Sequence, residues 1–147
     1  MKIEPIITKT KFRLMLIFSL LFAIFSATFD AYDETSISIN ETLSIDPQNW
    51  ELAITCVLSI SFLIIFSGLL LFKEWARKLY IYTFFPILLI YLLPSYYWTL
   101  MSGLSTIFYE LGNILSTLVW GILVVPSLYQ PLFKKDAEFT EVKDDKK

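Results

Sequence analysis

The chain has 147 residues, of which 56% are hydrophobic and only 18% are charged, with a formal net charge of −2. Long stretches without any charge exclude a soluble globular domain, whose helices would carry polar residues on their outer faces. The chain contains no histidine and one cysteine, which excludes histidine-ligated haem, the usual histidine metal sites and any intrachain disulfide.

The N-terminal segment is basic and leads into the first apolar run. Its basic residues are Lys2, Lys9, Lys11 and Arg13. We predict a cytoplasmic basic N-terminus at 1–13 and a first span at 14–29, which carries no charge. A basic segment before an apolar run is also typical of a secretory signal peptide. The small residues that precede a cleavage site are poorly matched at 26–28, so an uncleaved first helix is favoured.

The largest polar region, at 30–51, is acidic and contains no lysine or arginine. Its Ser, Thr and Asn residues and the Asp46-Pro47 pair are typical of a loop. We predict an outer acidic loop here, with at most a short strand or turn at 36–39.

A second apolar run at 52–72 is followed by a short charged segment at 73–78. Twenty residues at a rise of about 1.5 Å cover roughly the 30 Å of a bilayer's hydrocarbon core, so 52–72 is predicted to be the second span. Thr55 and Ser59 are four residues apart and share a helix face, where small side chains allow another helix to approach. The charged segment is predicted to be a cytoplasmic hinge between two spans.

Four hinge side chains are candidate contacts to lipid or to a partner protein. They are Lys73, Trp75, Arg77 and Lys78. Cationic side chains at the cytoplasmic surface attract lipid phosphates or an acidic segment of a partner. The alternative is that they direct insertion and extend their charged groups to the headgroups.

The third span is predicted at 79–98, where an apolar run ends in a cluster of aromatic residues that favour the headgroup boundary. Pro86 cannot donate a hydrogen bond to the carbonyl of Tyr82 and is expected to kink this helix. Pro94 is expected to end the helix or to bend it again.

The last span is predicted at 111–128, within a transmembrane domain that covers 14–129. Residues 99–110 either lie in the membrane interface or begin this last helix, because Gly103 is typical of a turn. A hydrophilic tail at 130–147 is expected to be disordered and cytoplasmic.

Small and polar residues recur along the last span at intervals of four. They are Gly112, Ser116, Asn113, Thr117 and Gly121. We interpret them as a helix-packing face, where hydrogen bonds between helices contribute roughly 0.6 kcal/mol each.

Glu110 is the acidic residue closest to the membrane, and it is predicted to lie at the outer headgroup level. With Asn113 one turn later, it forms a candidate polar membrane site for a cation or an amine-bearing ligand. The alternative is an acid at a helix start, stabilised by the positive end of the helix dipole.

The N-terminus, the hinge and the tail contain all twelve Lys and Arg residues, and the opposite side contains none. Cytoplasmic segments of membrane proteins carry an excess of Lys and Arg. The sequence therefore predicts an all-α membrane fold, a four-helix antiparallel transmembrane bundle with both termini in the cytoplasm.

The hinge at 72–78 resembles, in its sequence FKEWARK, the cytoplasmic F-x-x-W-A-R turn of small four-helix bacterial inner-membrane proteins. The resemblance covers the hinge and the four-helix plan. It implies a multi-pass protein of the bacterial cytoplasmic membrane and no particular activity. The four-helix plan is also similar to that of immunity proteins against pore-forming bacteriocins.

No catalytic, cofactor-binding or metal-ligating residue is predicted, and no nucleic-acid-binding pattern is present. We expect a non-catalytic integral membrane protein that acts through membrane lipids, a membrane-protein partner or a second copy of itself. The alternative is a small transporter or channel component, with a path past Glu110, Asn113 and Pro86. An enzyme is less favoured, because the outer acids form no organised acid–base pair.

Overall fold

The computed structural model describes residues 7–43, 45–95 and 101–133, so residues 1–6 of the predicted basic N-terminus lie outside them. Throughout the described ranges the secondary structure is helical. The helices are α1 (Lys9–Tyr32), α2 (Glu34–Leu43), α3 (Asn49–Leu70), α4 (Glu74–Leu88), the 3-10 helix Leu89–Leu92, α5 (Gly103–Val124) and α6 (Pro126–Phe133). By length and composition, α1, α3 and α5 are long and apolar enough to cross a membrane. The predicted all-α class is confirmed, and these three helices support a multi-pass integral membrane protein.

Helices α1 and α5 form an antiparallel pair. The Ser26 and Ser105 hydroxyls are 3.0 Å apart, and the Ser105 hydroxyl is 2.8 Å from the Ser26 carbonyl oxygen. Seven residues away on each helix, a Cβ added to Gly112 would lie 3.5 Å from the Ser19 carbonyl oxygen. Residue numbers fall along α1 as they rise along α5, so the two helices run in opposite directions. Glycine and serine at these positions let the two backbones approach closely.

Helices α3 and α4 form a second pair, joined by a tight turn. Phe72 has a positive φ of 53°. Its amide donates to the Leu69 carbonyl at 3.0 Å, and the Lys73 amide donates to the Gly68 carbonyl at 2.9 Å. These are the two bonds of a Schellman cap, in which a left-handed residue ends a helix and redirects the chain. The turn is shorter than the predicted hinge, since α4 already begins at Glu74.

The apolar core lies at the end of the molecule where α1 and α4 begin and where α3 and α5 end, and α6 adds to it. The buried hydrophobic residues are Phe12, Leu16, Ile65, Phe66, Leu69, Ala76, Val119, Ile122, Leu123 and Leu132. At the opposite end the buried side chains among the described residues are polar, namely Ser26, Ser36, Glu51 and Ser105.

The charged residues also divide between these two ends. We call the first the basic end, because it carries Lys9, Lys11, Arg13, Lys73, Arg77 and Lys78. We call the second the acidic end, because it carries Asp30, Asp33, Glu34 and Glu51. Apolar burial therefore lies mainly at the basic end, where Arg77 is also buried beside the acid Glu74. The other buried polar side chains of the described residues lie at the acidic end.

The region predicted as an outer loop at 30–51 contains a helix instead. Because α2 occupies Glu34–Leu43, the expected strand or turn at 36–39 is wrong. Asp33 explains the difference, since its carboxylate accepts hydrogen bonds from the Ser36 amide, at 3.0 Å, and from the Ser36 hydroxyl. This is N-cap geometry, which satisfies an amide in the first turn of a helix.

The third predicted span, at 79–98, is helical over most of its described length. The backbone of α4 continues through Pro86 and changes to a 3-10 helix at Leu89. The 3-10 helix ends at Leu92, before Pro94, as expected of a proline that ends a helix. The aromatic residues at 96–98 lie outside the described residues.

The last long helix begins earlier than predicted. The structure starts α5 at Gly103 rather than at 111, because the Ser102 hydroxyl caps it by accepting a hydrogen bond from an amide of the first turn at 3.2 Å. Residues 103–110 are therefore helical and continuous with the rest of α5. The predicted tail at 130–147 begins inside α6, and its residues after Phe133 lie outside the described residues.

Candidate functional site

The hinge motif begins with Phe72 in the turn between α3 and α4 and continues into the start of α4. The Phe72 ring packs against the rings of Phe12 and Phe133, with centroids 6.0 and 5.9 Å away. The Arg13 guanidinium lies over the same ring at 4.8 Å from its centroid, within the range of a cation–π contact. A positive φ is unfavourable for phenylalanine. These contacts from α1 and α6 hold the residue in that conformation.

Trp75 and Ala76, the W and A of the F-x-x-W-A-R motif, pack against Gly68 of α3. A Cβ added to Gly68 would lie 2.5 Å from the Ala76 Cβ and 2.9 Å from the Trp75 ring. Glycine at this position therefore lets α3 and α4 come into contact. Beyond this contact, 45% of the Trp75 surface stays exposed.

Arg77 is buried inside the basic end, with 9% of the residue exposed. Its Nε donates to both carboxylate oxygens of Glu74 at 3.0 Å, and its Nη1 donates to the Leu123 carbonyl at 3.0 Å. The guanidinium also lies 3.7 Å from the centroid of the Tyr129 ring. Arg77 thus connects α4 to α5 and α6.

Two arginines of the basic end bond carbonyl groups at helix C-termini. Arg13 Nε donates to the Leu70 carbonyl at the end of α3, at 3.1 Å. Arg77 bonds Leu123 in the last turn of α5. The last carbonyls of a helix have no partner within it and form the negative end of its dipole. The sequence prediction treated these cations as charges for insertion or lipid contact and missed this structural role.

The four hinge residues predicted to contact lipid or a partner do not form one group. Lys73, Trp75 and Lys78 are exposed, whereas Arg77 is enclosed between Glu74 and the aromatic ring of α6. Lys73, Trp75 and Lys78 are therefore accessible to lipid or to a partner protein, whereas Arg77 contacts other helices of the same chain.

Carboxylates connect helices at the acidic end. The Glu51 carboxylate accepts hydrogen bonds from the Ser95 amide, at 3.1 Å, and from the Ser95 hydroxyl. The Asp30 carboxylate accepts one from the Ser102 amide at 3.4 Å. Glu51 thereby joins the start of α3 to the segment that follows the 3-10 helix, and Asp30 joins α1 to α5. These acids, predicted as part of a solvated loop, hold helices together.

Helix α5 has one polar side that is packed and another that is not. Gly112 is buried against α1, as its prediction as a packing residue requires. Glu110, Asn113 and Thr117 are exposed on another side, and a Cβ added to Gly121 would meet nothing within 4 Å. We call these last four residues the uncovered face, because no helix of the described ranges encloses them. The stripe predicted from intervals of four thus divides into two.

The depth of Glu110 follows from the register of α5 against α1. Gly112 lies against Ser19 and Ala23, near the middle of the charge-free run at 14–29. Glu110 is two residues from Gly112, an axial distance of about 3 Å at the rise of an α-helix. Glu110 therefore lies level with the middle of the charge-free run at 14–29, and its place at the outer headgroup level stays a prediction.

The remaining predicted packing residues are less enclosed. Ser116 is partly buried, whereas Thr55 and Ser59 are exposed on α3. The Thr55 hydroxyl donates to the Glu51 carbonyl of its own helix at 3.0 Å. Within the described part of the chain, this predicted face of α3 is not in a helix–helix contact.

The tightest polar contact between two long helices, Ser26 with Ser105, was not predicted. A signal for it is present in the sequence. Ser19 and Ser26 are seven residues apart on α1, and Ser105 and Gly112 are seven apart on α5. Spacing of seven is typical of a seam between paired helices, and small residues favour close pairing in a membrane.

Comparisons with known proteins find no relative. No protein-family model matches the chain, and neither a curated protein nor a solved structure matches it. The resemblance of the hinge to small four-helix bacterial proteins remains a prediction. In residues 7–43, 45–95 and 101–133, no group of three or more histidine, cysteine or acidic side chains could hold a metal ion.

Proposed function

We propose that the protein is a non-catalytic membrane protein that crosses the bacterial cytoplasmic membrane four times, with both termini in the cytoplasm. It acts through contacts with another membrane protein and with lipid. The hinge sequence, the division of charge and the uncovered face of α5 each support a part of this proposal.

Residues 74–95 are the crossing proposed in addition to α1, α3 and α5, and contacts at the two ends of α3 support it. Residues 74–95 begin beside the C-terminus of α3, where the Lys73 amide bonds the Gly68 carbonyl. They end beside its N-terminus, where the Ser95 amide bonds Glu51 at 3.1 Å. The segment therefore covers the same axial distance as the 22 residues of α3, which is about 33 Å at a rise of 1.5 Å. A hydrocarbon core of about 30 Å is crossed by that length.

The orientation is supported by the charges. In a four-crossing arrangement all twelve Lys and Arg residues lie on one side, and an excess of these residues marks the cytoplasmic side. The core and the arginine contacts at the basic end would then lie near the cytoplasmic surface.

The observation that carries the interaction role is the uncovered face. Glu110 and Asn113 are exposed at a depth where the neighbouring helix α1 is uncharged. Ionisable and amide side chains are costly against hydrocarbon and normally face other helices or a water-filled cavity. A helix from another protein, or from a second copy, would cover them and supply hydrogen-bond partners.

Photocrosslinking in bacterial membranes tests this role. A photoreactive residue at Ile114, beside Asn113, is compared with one at Val57 of α3, since 57% and 63% of these side chains are exposed. We expect a protein adduct from position 114, reduced when Glu110 and Asn113 are both changed to Leu, and lipid adducts alone from position 57. An adduct of twice the 17.1 kDa chain mass identifies a second copy. Lipid adducts alone from both positions contradict the role.

The depth of Glu110 also favours a second candidate, a small transporter or channel component. Intramembrane acids are common on ion and proton pathways. In reconstituted vesicles, flux that is lost on Glu110→Gln while the crosslink persists would support this candidate. Flux that is absent or unchanged by the substitution removes it.

A further inference from the structure

A groove runs along the outer side of the α3–α4 pair at the basic end. Its volume is about 420 Å³. On the α3 side it is lined by Leu63, Ile64, Gly68 and Leu71, and at its end by Lys73 and Trp75. It is separate from the uncovered face of α5 and shares no residue with it.

The wall of the groove is apolar. Leu63, Ile64 and Leu71 are 58%, 56% and 65% exposed, so they offer their side chains to whatever fills the groove. Ser67 also lines it, but its hydroxyl donates to the Leu63 carbonyl of the same helix at 2.8 Å. Gly68 has no side chain, and the Trp75 ring packs beside it. A hydrocarbon chain matches such a wall.

The end of the groove is cationic. Lys73 is exposed there, and the described residues give its side chain no hydrogen bond or ion pair. The neighbouring acid, Glu74, is held by two hydrogen bonds of 3.0 Å from Arg77, so its charge is offset. The positive end of the α4 dipole lies at the same place, because α4 begins at Glu74. An anionic group therefore complements this end.

We propose that the groove binds one anionic glycerophospholipid, with an acyl chain along Leu63 and Ile64 and its phosphate beside Lys73. Trp75 lies where amphipathic rings prefer the headgroup boundary, and a lysine at that level reaches lipid phosphates. The cationic end of the groove and its apolar wall together favour a lipid over a free phosphate or an uncharged helix. The inference rests on the proposed function and names the lipid class.

Lipid binding to the full-length protein in mild detergent tests the inference. After delipidation, phosphatidylglycerol, phosphatidylcholine of the same acyl chains, dihexanoyl phosphatidylglycerol and inorganic phosphate are titrated, and bound lipid is counted by native mass spectrometry. We expect one long-chain phosphatidylglycerol to bind more tightly than the other three. Lys73→Gln is expected to weaken it about fivefold, as loss of one cationic contact to an anionic headgroup predicts.

Lys11→Gln is the matched control, because Lys11 is an exposed lysine of α1 at the basic end that does not line the groove. It is expected to change binding less than twofold. Ile64→Asn, at another exposed position, is expected to weaken the long-chain lipid and leave dihexanoyl phosphatidylglycerol unchanged.

Equal binding of the two long-chain lipids, or equal effects of Lys73→Gln and Lys11→Gln, would overturn the inference. Full competition by inorganic phosphate would also overturn it, because the wall would then contribute nothing. The crosslink from position 114 is measured in the same variants. If the protein does not select the anionic lipid but still gives the crosslink from position 114, only the lipid site is rejected. If the unsubstituted protein gives no protein crosslink from position 114, the proposed function is rejected.

Discussion

The two ends of the molecule are held together by different forces. At the basic end, side chains such as Leu69 and Leu123 are fully buried, and arginines bond the carbonyls where α3 and α5 end. At the acidic end, hydroxyl and carboxylate groups such as Ser105 and Glu51 connect the helices. In lipid there is little hydrophobic drive between helices, so packing and hydrogen bonds decide which ones associate. The basic end uses mainly the first and the acidic end mainly the second.

The largest loss of stability is expected when a packed leucine of α3, rather than an exposed one, is changed to alanine. Leu69 has no exposed surface, whereas 58% of Leu63 is exposed. We expect Leu69→Ala to destabilise the protein by about 3 kcal/mol, because it leaves a cavity among well-packed neighbours. Leu63→Ala should cost less than about 0.5 kcal/mol. Denaturant unfolding in micelles measures both, and similar losses would show that burial in the core of the basic end adds no stability beyond that of an exposed leucine.

A smaller effect is expected from the paired serines of the acidic end. Ser105→Ala removes the 2.8 Å bond to the Ser26 carbonyl and should cost about 1 kcal/mol, within the range measured for bonds between membrane helices. Ser61→Ala is the control, because the Ser61 hydroxyl bonds the Val57 carbonyl of its own helix at 2.8 Å. If the control destabilises the protein as much as Ser105→Ala does, the bond between helices has no special importance.

The smallest effect concerns pH and the cap of α2. Hydrogen bonds from Ser36 to the Asp33 carboxylate hold the pKa of Asp33 below its ordinary value of 3.8. The stabilisation is therefore fully present above about pH 4 and is lost as the pH falls through the lowered pKa of the folded state. Hydrogen exchange at the Ser36 amide in micelles should accelerate, relative to its intrinsic rate, on acidification.

Asp33→Asn provides the comparison for this pH effect, since it keeps an acceptor but cannot titrate. The other acids are the same in both proteins, so the difference between the two proteins reports Asp33. The same acid-induced loss of protection in the substituted protein would contradict the cap as the cause.

The apolar helices were predictable because charge-free runs mark them directly. The start of α5 was missed because Gly103 was interpreted as a turn, although Ser102 and Ser105 stand at the spacing of an N-cap. The α2 helix was missed for a similar reason. Its Ser, Thr and Asn residues are typical of loops, and the Asp33 cap that stabilises it was not considered.

The sites were less predictable, because their geometry depends on distant parts of the chain. Arg77 points inward since Leu123 is 46 residues away in sequence and yet adjacent in space. The depth of Glu110 depends on the register of α5 against α1, which periodicity within one helix does not reveal. Lys73 and Trp75 were predicted as candidate contacts from their residue types, but the groove between them and α3 required the close contact at Gly68.

The separation of 79 residues between Ser26 and Ser105 has a consequence for biosynthesis. Neighbouring α3 and α4 can close into a hairpin as soon as both have left the ribosome, since closing a short loop costs little entropy. Helix α1 cannot form its contact with α5 until α5 has been synthesised, so until then Ser26 lacks its partner Ser105. Late pairing of the first and last long helices is therefore the step at which nascent chains are most open to capture by an insertase or to degradation.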